Sequence, residues 1–312
     1  MTVTVTRSRP VDEFEGVVGR RRRVTDRLAT VVMTFAFAIV LFPLLSVAWT
    51  VVEAGLERFD PAFFARNMEL TLDELAAARA GETVGGAGHA VVGTLIVTGL
   101  AAVMSIPLGV LTAIYLVEYG RGKLARSITA MVDVMTGIPS IVAGLFAYAL
   151  FVIFFGPGTR SGLAGAVALA VLMTPIVVRA TEEMLRLVPD ELREASYALG
   201  VPRWKTIVKV VIPTSIGGIV TGVTLAVARV IGETAPLLLT AGIADGLNLN
   251  PFSGRMTTLP VYTYRSYKFP SLPVEAYIDR AFAAALTLVL LVALLFAVAR
   301  ILATVLEPKG NG

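Results

Sequence analysis

The chain has 312 residues, of which 56% are hydrophobic and 16% are charged, and its net charge is +4. A soluble domain is typically about 45–50% apolar and about 25% charged, so this composition predicts an all-α polytopic membrane protein without a sizeable soluble domain. The absence of cysteine and the single histidine argue against a disulfide framework, a His/Cys metal site and a Ser-His-Asp triad. The small surplus of Lys and Arg is more typical of membrane topology than of nucleic-acid binding.

Six segments are long and apolar enough to cross a bilayer as helices, for which about 20 residues are needed. They are residues 28–52, 90–117, 127–155, 161–178, 212–244 and 281–299. The first is predicted to be a signal anchor, because it exceeds the h-region of a cleaved signal peptide, about 7–15 residues. The predicted organisation is a segment 1–27, the first transmembrane helix 28–52, an external loop 53–88, a core of five helices 89–306 and a tail 307–312.

Lys and Arg residues set the predicted direction of these helices. They are concentrated in segment 1–27 and in the connections before the third and fifth spans, whereas loop 53–88 holds three arginines against seven acidic residues. By the positive-inside rule, both termini and the connection 190–213 are predicted to be cytoplasmic.

Several spans contain proline, which lacks a backbone donor and is expected to bend or break a helix. These breaks are either ordinary kinks in a bundle or places where freed carbonyls face a water-filled cavity. The prolines are Pro43, Pro107, Pro139, Pro175 and Pro236. In the fifth span, Gly217, Gly218 and Gly222 favour close helix packing.

The connection 190–213 is polar and is predicted to form two short helices. Asp190 is a candidate N-cap of the first, and Gly200 can end it in the left-handed conformation. The segment resembles the E-A-A…G…I-x-L-P loop of ABC importer permeases, which in that family docks on the ATPase subunit. The residues that carry the resemblance are Glu194, Ala195, Ser196, Gly200, Val210, Ile212 and Pro213. From the residues alone, an ordinary juxtamembrane helix pair is the alternative.

Arg229 is predicted near the midpoint of the fifth span, where an arginine costs at least about 2.5–3.5 kcal/mol on insertion scales. Glu233 lies four residues on and shares its helix face. The two residues therefore form either a structural ion pair or an anion site on the substrate path, in which the guanidinium binds oxyanion oxygens. Arg179, at the end of the fourth span, is either a topological anchor or an exit-side anion contact, with Asp133 as a candidate partner.

Three segments resemble motifs of the A-type permease subunit of the bacterial phosphate ABC importer, the PstA family. Ala228–Leu239 resembles R-x-I-G-E-T-A-P-L-L, Gly137–Phe146 resembles G-I-P-S-I-V-x-G-L, and Thr174–Pro189 resembles the helix before the coupling loop. The resemblance extends from about His89 to Tyr264. It implies a type I ABC importer permease fold and phosphate import across a bacterial plasma (inner) membrane. It also implies three partners: a C-type permease, a dimeric ATPase that binds ATP and Mg²⁺, and an extracytoplasmic phosphate-binding protein.

The chain has no G-x-x-x-x-G-K-[ST] motif, so we expect no ATP hydrolysis, no cofactor, no metal and no catalytic residue in this subunit. Two alternatives to a phosphate permease remain open: an ABC permease for another tetrahedral oxyanion, and a stand-alone anion carrier or channel. An intramembrane enzyme is disfavoured by the lack of cysteine and of a paired catalytic carboxylate set.

Overall fold

A computed structural model describes residues 20–68, 76, 85–271 and 274–306, and within these ranges the regular elements are helices. Most of the predicted segment 1–27, part of the loop 53–88 and the tail 307–312 lie outside the described residues. The chain divides into two compact units, Met1–Thr50 and Val51–Gly312.

The helices follow one another in short order along the described chain. They are α1 (Arg20–Leu56), α2 (Pro61–Ala65), α3 (Gly88–Ile114), α4 (Gly122–Thr136), α5 (Ser140–Phe155), α6 (Gly162–Arg186), α7 (Asp190–Ala198), α8 (Arg203–Thr206), α9 (Ile212–Ile231), α10 (Ala235–Thr240), α11 (Leu259–Lys268) and α12 (Val274–Leu306). A π-helical turn, Tyr115–Tyr119, continues α3, and a second one, Ile207–Val211, joins α8 to α9.

The described part of the first unit is the long N-terminal portion of α1. Its large apolar side chains are exposed all round the helix, from Val24 to Trp49. A helix that is hydrophobic on every side is typical of a membrane span, so this portion agrees with the predicted first span.

The core of the second unit lies where α3, α6 and α9 pack together. Val97 of α3, Leu169 of α6 and Ala226 of α9 are fully buried in it. Small residues allow close approach, because the Cβ that Gly222 lacks would lie 2.6 Å from the Cβ of Ala180. This contact confirms the close packing predicted for the fifth span.

Five helices are long and apolar enough to cross a membrane, and a sixth crossing exists if one bent pair counts as a span. The bent pair is α4 and α5, which meet at 108°. The predicted continuous span 127–155 is therefore wrong. Pro139 has no N–H and disfavours helical backbone at Ile138, so the chain turns there before the next helix begins.

The predicted span 212–244 is also interrupted, because α9 ends at Ile231 and the short α10 begins only at Ala235. Arg229 consequently lies in the last turn of α9 rather than near the midpoint of a helix. Pro236 begins the new helix at a first-turn position, where its missing N–H costs little.

Pro107 and Pro175 behave differently from Pro139, since α3 and α6 continue through them without a break. These two helices pack against each other along their length in the buried core. Tertiary packing thus holds both helices in place where local chemistry alone favours an interruption.

Candidate functional site

A pocket of about 550 Å³ lies where the bend between α4 and α5 meets α6 and α9; we call it the bend pocket. It is lined by Met135, Thr136, Ile138, Pro139, Ser140, Leu172, Pro175, Ile176, Leu225, Arg229, Val230 and Glu233. Residues from all three of the segments 137–146, 174–189 and 228–239 line it. The fold therefore brings the separate sequence motifs to a single place.

Arg229 and Glu233 form an ion pair in the bend pocket. Arg229 Nη1 donates to Glu233 Oε1 at 2.7 Å, and the Arg229 side chain is 65% exposed whereas that of Glu233 is 14% exposed. The backbone N–H of Glu233 donates to the carbonyl of Val230 at 3.1 Å, which fixes the acid just beyond the end of α9. A guanidinium has five N–H donors, so this pair leaves most of the Arg229 donors facing the open pocket.

The N-terminus of α5 adds further positive character to the wall of the bend pocket. The N–H groups of Val142 and Ala143 donate to the carbonyl of Pro139, at 2.9 and 3.3 Å, and no side chain caps this end of the helix. Helix N-termini favour anions through their unpaired N–H groups and the helix dipole. Together with the hydroxyl of half-buried Ser140, the pocket offers the donors that an oxyanion requires.

A second charged cluster lies one turn further along α6 from Pro175. Arg179 donates to Asp133 of α4, and its Nη1 donates to Glu182 Oε2 at 2.7 Å. Arg186 donates to the other oxygen of the buried Glu182 at 2.5 Å. The contact between Arg179 and Asp133, which the sequence left open, is thus present. Because Arg179 is bonded on two sides by carboxylates, the cluster ties α4 to α6.

The connection 190–213, which we call the coupling segment, forms the two short helices α7 and α8 as expected. Gly200 ends the first of them with φ +73°, and the Cβ it lacks would meet nothing within 4 Å. The predicted N-cap role of Asp190 is wrong, because α7 begins at Asp190 itself and its carboxylate accepts from Arg193 at 3.1 Å.

The residues of the predicted coupling motif have different exposures. Glu194 and Ala195 are exposed on α7. Ser196 is buried, and its Oγ lies 2.8 Å from Thr206 Oγ1, which holds the two short helices together. Pro213 lies in the first turn of α9, where the coupling segment ends.

Sequence reasoning missed a buried ion pair that holds the coupling segment to α3. Glu118 is 4% exposed and accepts from Arg193 Nε at 3.3 Å and Nη2 at 3.2 Å. Arg193 also donates to the carbonyls of Leu185 and Val188, at 2.9 and 2.5 Å. The available signal was a lone carboxylate at the end of an otherwise uncharged span, since a charge there needs a partner.

Arg203 of α8 strengthens the same connection. It donates to the carbonyl of Glu118, and its guanidinium lies 4.9 Å from the ring centroid of Tyr119. Both short helices of the coupling segment therefore contact the π-helical turn that continues α3. A force applied to α7 or α8 has a direct mechanical route to that helix.

Residues 105–311 match the family described as binding-protein-dependent transport system inner membrane component. The match covers more than half of the chain and includes both the bend pocket and the coupling segment. The chain belongs to this family.

This inner membrane component has close relatives that are named phosphate transport system permease proteins. PstA 1 of Mycobacterium tuberculosis (strain ATCC 25618 / H37Rv) is 46% identical over 274 residues, 88% of this chain and 85% of that protein. PstA of Mycobacterium leprae is 45% identical over 276 residues, 88% and 86% of the two chains. PstA of Yersinia pestis is 37% identical over 282 residues, 90% of each chain. Within its family the inner membrane component therefore groups with the PstA permeases, as the motifs predicted.

Solved structures of ABC transporters share the fold of this inner membrane component. An inward-facing structure of the MetNI methionine ABC transporter aligns with a TM-score of 0.55 at 20% identity, over 77% of this chain and 100% of the other. An alginate importer aligns with a TM-score of 0.55 at 11% identity, over 89% and 98%. At these identities the likeness concerns the fold alone, and it confirms the predicted all-α ABC importer permease fold.

Proposed function

We propose that the chain is the transmembrane permease subunit of an ATP-driven importer of inorganic phosphate, and that it forms the translocation path together with a partner permease. The exposure of Arg229 carries the proposal. Its side chain is 65% exposed although it lies in the last turn of an apolar span. Since a charged side chain facing lipid is costly, we infer that Arg229 faces a water-filled path completed by a second permease.

The chemistry of the bend pocket supports phosphate as the cargo. Arg229, the N-terminus of α5 and the Ser140 hydroxyl supply donors to oxyanion oxygens. Glu233 supplies an acceptor, which suits a phosphate that carries a proton at neutral pH and disfavours an oxyanion without one. The names of the relatives that are 37–46% identical point to the same cargo.

Energy for transport comes, in this proposal, from a dimeric ATPase partner that binds ATP and Mg²⁺, because the chain has no P-loop motif. The ATPase docks on the coupling segment through exposed residues such as Glu194. Its movement reaches α3 through Glu118 and Arg193, and it reaches the bend pocket through α6, which precedes the coupling segment. The pocket then alternates between access from the two sides of the membrane.

The remaining parts of the proposal are topology and partners. Both termini lie in the cytoplasm of a bacterial cell, and the chain is embedded in the lipid of the plasma membrane. The partner permease is of the C type, and an extracytoplasmic phosphate-binding protein delivers the anion. We propose that this subunit needs no cofactor of its own.

Reconstitution tests the proposal. The chain is purified with the partner permease and the ATPase, placed in vesicles that contain ATP, and supplied outside with radiolabelled phosphate and the binding protein. We expect phosphate uptake that requires ATP and exceeds sulfate uptake. Uptake without the ATPase would identify a stand-alone carrier, and preferential uptake of sulfate would identify a permease for another oxyanion.

A further inference from the structure

Another pocket, of about 480 Å³, lies at the opposite end of α5 from the bend pocket. It is lined by Phe151, Phe155, Gly158, Thr159, Arg160, Ser161, Leu163, Phe252, Ser253, Gly254 and Arg255. Since α5 has 16 residues, the two pockets are separated by about 24 Å along that helix at 1.5 Å per residue. The same pocket lies at the start of α6, whereas the coupling segment follows the end of α6, so the two are at opposite ends of the subunit core.

Two arginines meet in this pocket, which we call the Arg160–Arg255 pocket. The Cβ that Gly242 lacks would lie 3.0 Å from Cδ of Arg160 and 3.3 Å from Cγ of Arg255, so the two side chains pass side by side over this glycine. Gly242 has φ +78°, a conformation that favours glycine. A larger residue at this position would therefore disturb both arginines.

The two guanidinium groups have no acidic partner within the described part of the chain. No Asp or Glu is among the residues that line the pocket. Arg179, Arg229 and Arg265 by contrast each form an ion pair with a carboxylate. Two adjacent cations repel each other, and an oxyanion bound between them would relieve that repulsion through charge-assisted hydrogen bonds.

Backbone bonds hold the two loops of the pocket in a fixed arrangement. The N–H of Leu163 donates to the carbonyl of Pro251 at 2.7 Å, and the N–H of Met256 donates to the carbonyl of Ala241 at 3.0 Å. Asn248 Nδ2 donates to the carbonyls of Ser253 and Arg255, at 2.9 and 3.1 Å. The arginines are therefore presented from loops that are braced against each other.

The Arg160–Arg255 pocket is also connected to the bend pocket by the short helix α10. Glu233 lies just before α10 and Gly242 just after it, so the ends of one short segment reach both pockets. We propose that the Arg160–Arg255 pocket is an entry site for inorganic phosphate, on the side of the membrane opposite the coupling segment. The anion binds between the two guanidinium groups before it passes to Arg229. This inference rests on the proposed function.

The variants that test the entry site remove the positive charge or retain it. Arg160→Gln with Arg255→Gln removes both cations, whereas Arg160→Lys with Arg255→Lys keeps the charge but loses the planar fork of donors. Lys268→Gln is the matched control, because Lys268 is an exposed cation of α11 outside the pocket lining. All variants are compared in the complete transporter with its ATPase, partner permease and binding protein.

Two measurements are made on each variant. Equilibrium binding of radiolabelled phosphate is measured on the transporter in lipid-free detergent without the binding protein, and ATP-driven uptake is measured in vesicles. We expect the double Gln variant to lose phosphate binding and uptake by about tenfold or more, since charge-assisted bonds to the anion are removed. We expect the double Lys variant to retain part of both, and Lys268→Gln to match the wild type.

Other outcomes identify other occupants. Unchanged phosphate binding and uptake in the double Gln variant would overturn the entry site. Loss of retained phospholipid with unchanged phosphate binding would overturn it in favour of a lipid headgroup. Recovery of uptake at saturating binding protein, with weaker docking of that protein, would overturn it in favour of a docking surface. If the wild type itself takes up no phosphate, the proposed function fails and the entry site falls with it.

Discussion

Gly144 of α5 lies directly against Pro236 of α10: the Cβ that Gly144 lacks would be 2.6 Å from the Cα of Pro236. The contact joins the motif 137–146 to the motif 228–239. Because a backbone atom occupies the space, neither helix can make room by turning a flexible side chain. This contact holds the break between α9 and α10, which carries Glu233, at a fixed distance from the bend pocket.

We predict that Gly144→Ala pushes α5 and α10 apart. Overpacking of this kind typically destabilises a protein by about 1–3 kcal/mol, and the displaced Glu233 should lower phosphate uptake as well. Thermal unfolding of the purified transporter and uptake in vesicles measure the two effects. Gly99→Ala is the matched control, since a Cβ there meets nothing within 4 Å. Wild-type values for Gly144→Ala would show that the contact is not a constraint.

The buried pair that holds the coupling segment to α3 gives a second prediction. Glu118→Gln leaves Arg193 without its carboxylate, and breaking a buried pair costs about 3–5 kcal/mol. We expect a lower unfolding temperature and fewer phosphate ions transported per ATP hydrolysed. Glu183→Gln, an exposed acid near the end of α6, should change neither quantity. Equal coupling ratios for both variants would contradict the proposed route of force.

The surface of the coupling segment gives a third prediction. Glu194 is exposed, so Glu194→Lys should leave folding and membrane insertion unchanged but abolish co-purification of the ATPase. Gly200→Pro should have the same effect, because proline cannot adopt the φ of +73° found there. Gly200→Asn is the control and should retain binding, since asparagine tolerates this conformation. Wild-type yields of ATPase with both test variants would remove the docking role.

Topology gives a fourth prediction, and the natural lack of cysteine provides a clean background for it. Leu249→Cys should react with an impermeant thiol reagent added outside the cell, and Leu199→Cys only with reagent supplied from inside. Both positions are exposed, at 65% and 83%, whereas Ser196 in the same coupling segment is buried and unsuitable for labelling. Reversed labelling would overturn the cytoplasmic placement of the coupling segment.

Local sequence patterns were sufficient to predict the apolar helices, the ion pair of Arg229 with Glu233 and the left-handed Gly200. Each of these depends on residues within about one helical turn of each other. The 108° bend at Pro139 was not predicted, because both halves of the segment 127–155 are apolar and hydropathy does not register a change of direction. Pro175 has the same local chemistry yet lies in an unbroken helix, so tertiary packing decides between the two outcomes.

The pair of Glu118 with Arg193 illustrates a second limit. The two residues are separated by 75 positions in the chain, and no local pattern links them. A similar reason applies to the bend pocket, whose walls come from four helices. The sequence identified the charged residues, whereas only the fold shows that Pro139, Pro175 and Arg229 share one cavity.

The substrate role of Arg229 gives the fifth prediction. Arg229→Ala removes the guanidinium that faces the open pocket and leaves Glu233 unpaired, so phosphate uptake should fall to the background of empty vesicles. A structural pair predicts a different result for the double variant Arg229→Met with Glu233→Leu. An ion pair that only supports packing can often be replaced by apolar residues at little cost, so transport would then return.

Phosphate uptake by the Arg229→Met/Glu233→Leu double variant is therefore the most direct test of the central claim. The vesicles contain the partner permease, the ATPase and ATP, and they are supplied outside with the binding protein and radiolabelled phosphate. We predict that the double variant is inserted, binds the ATPase at the wild-type level and transports no phosphate. Substantial ATP-driven phosphate uptake by this variant would contradict the account, since Arg229 would then be structural and the anion would follow another path.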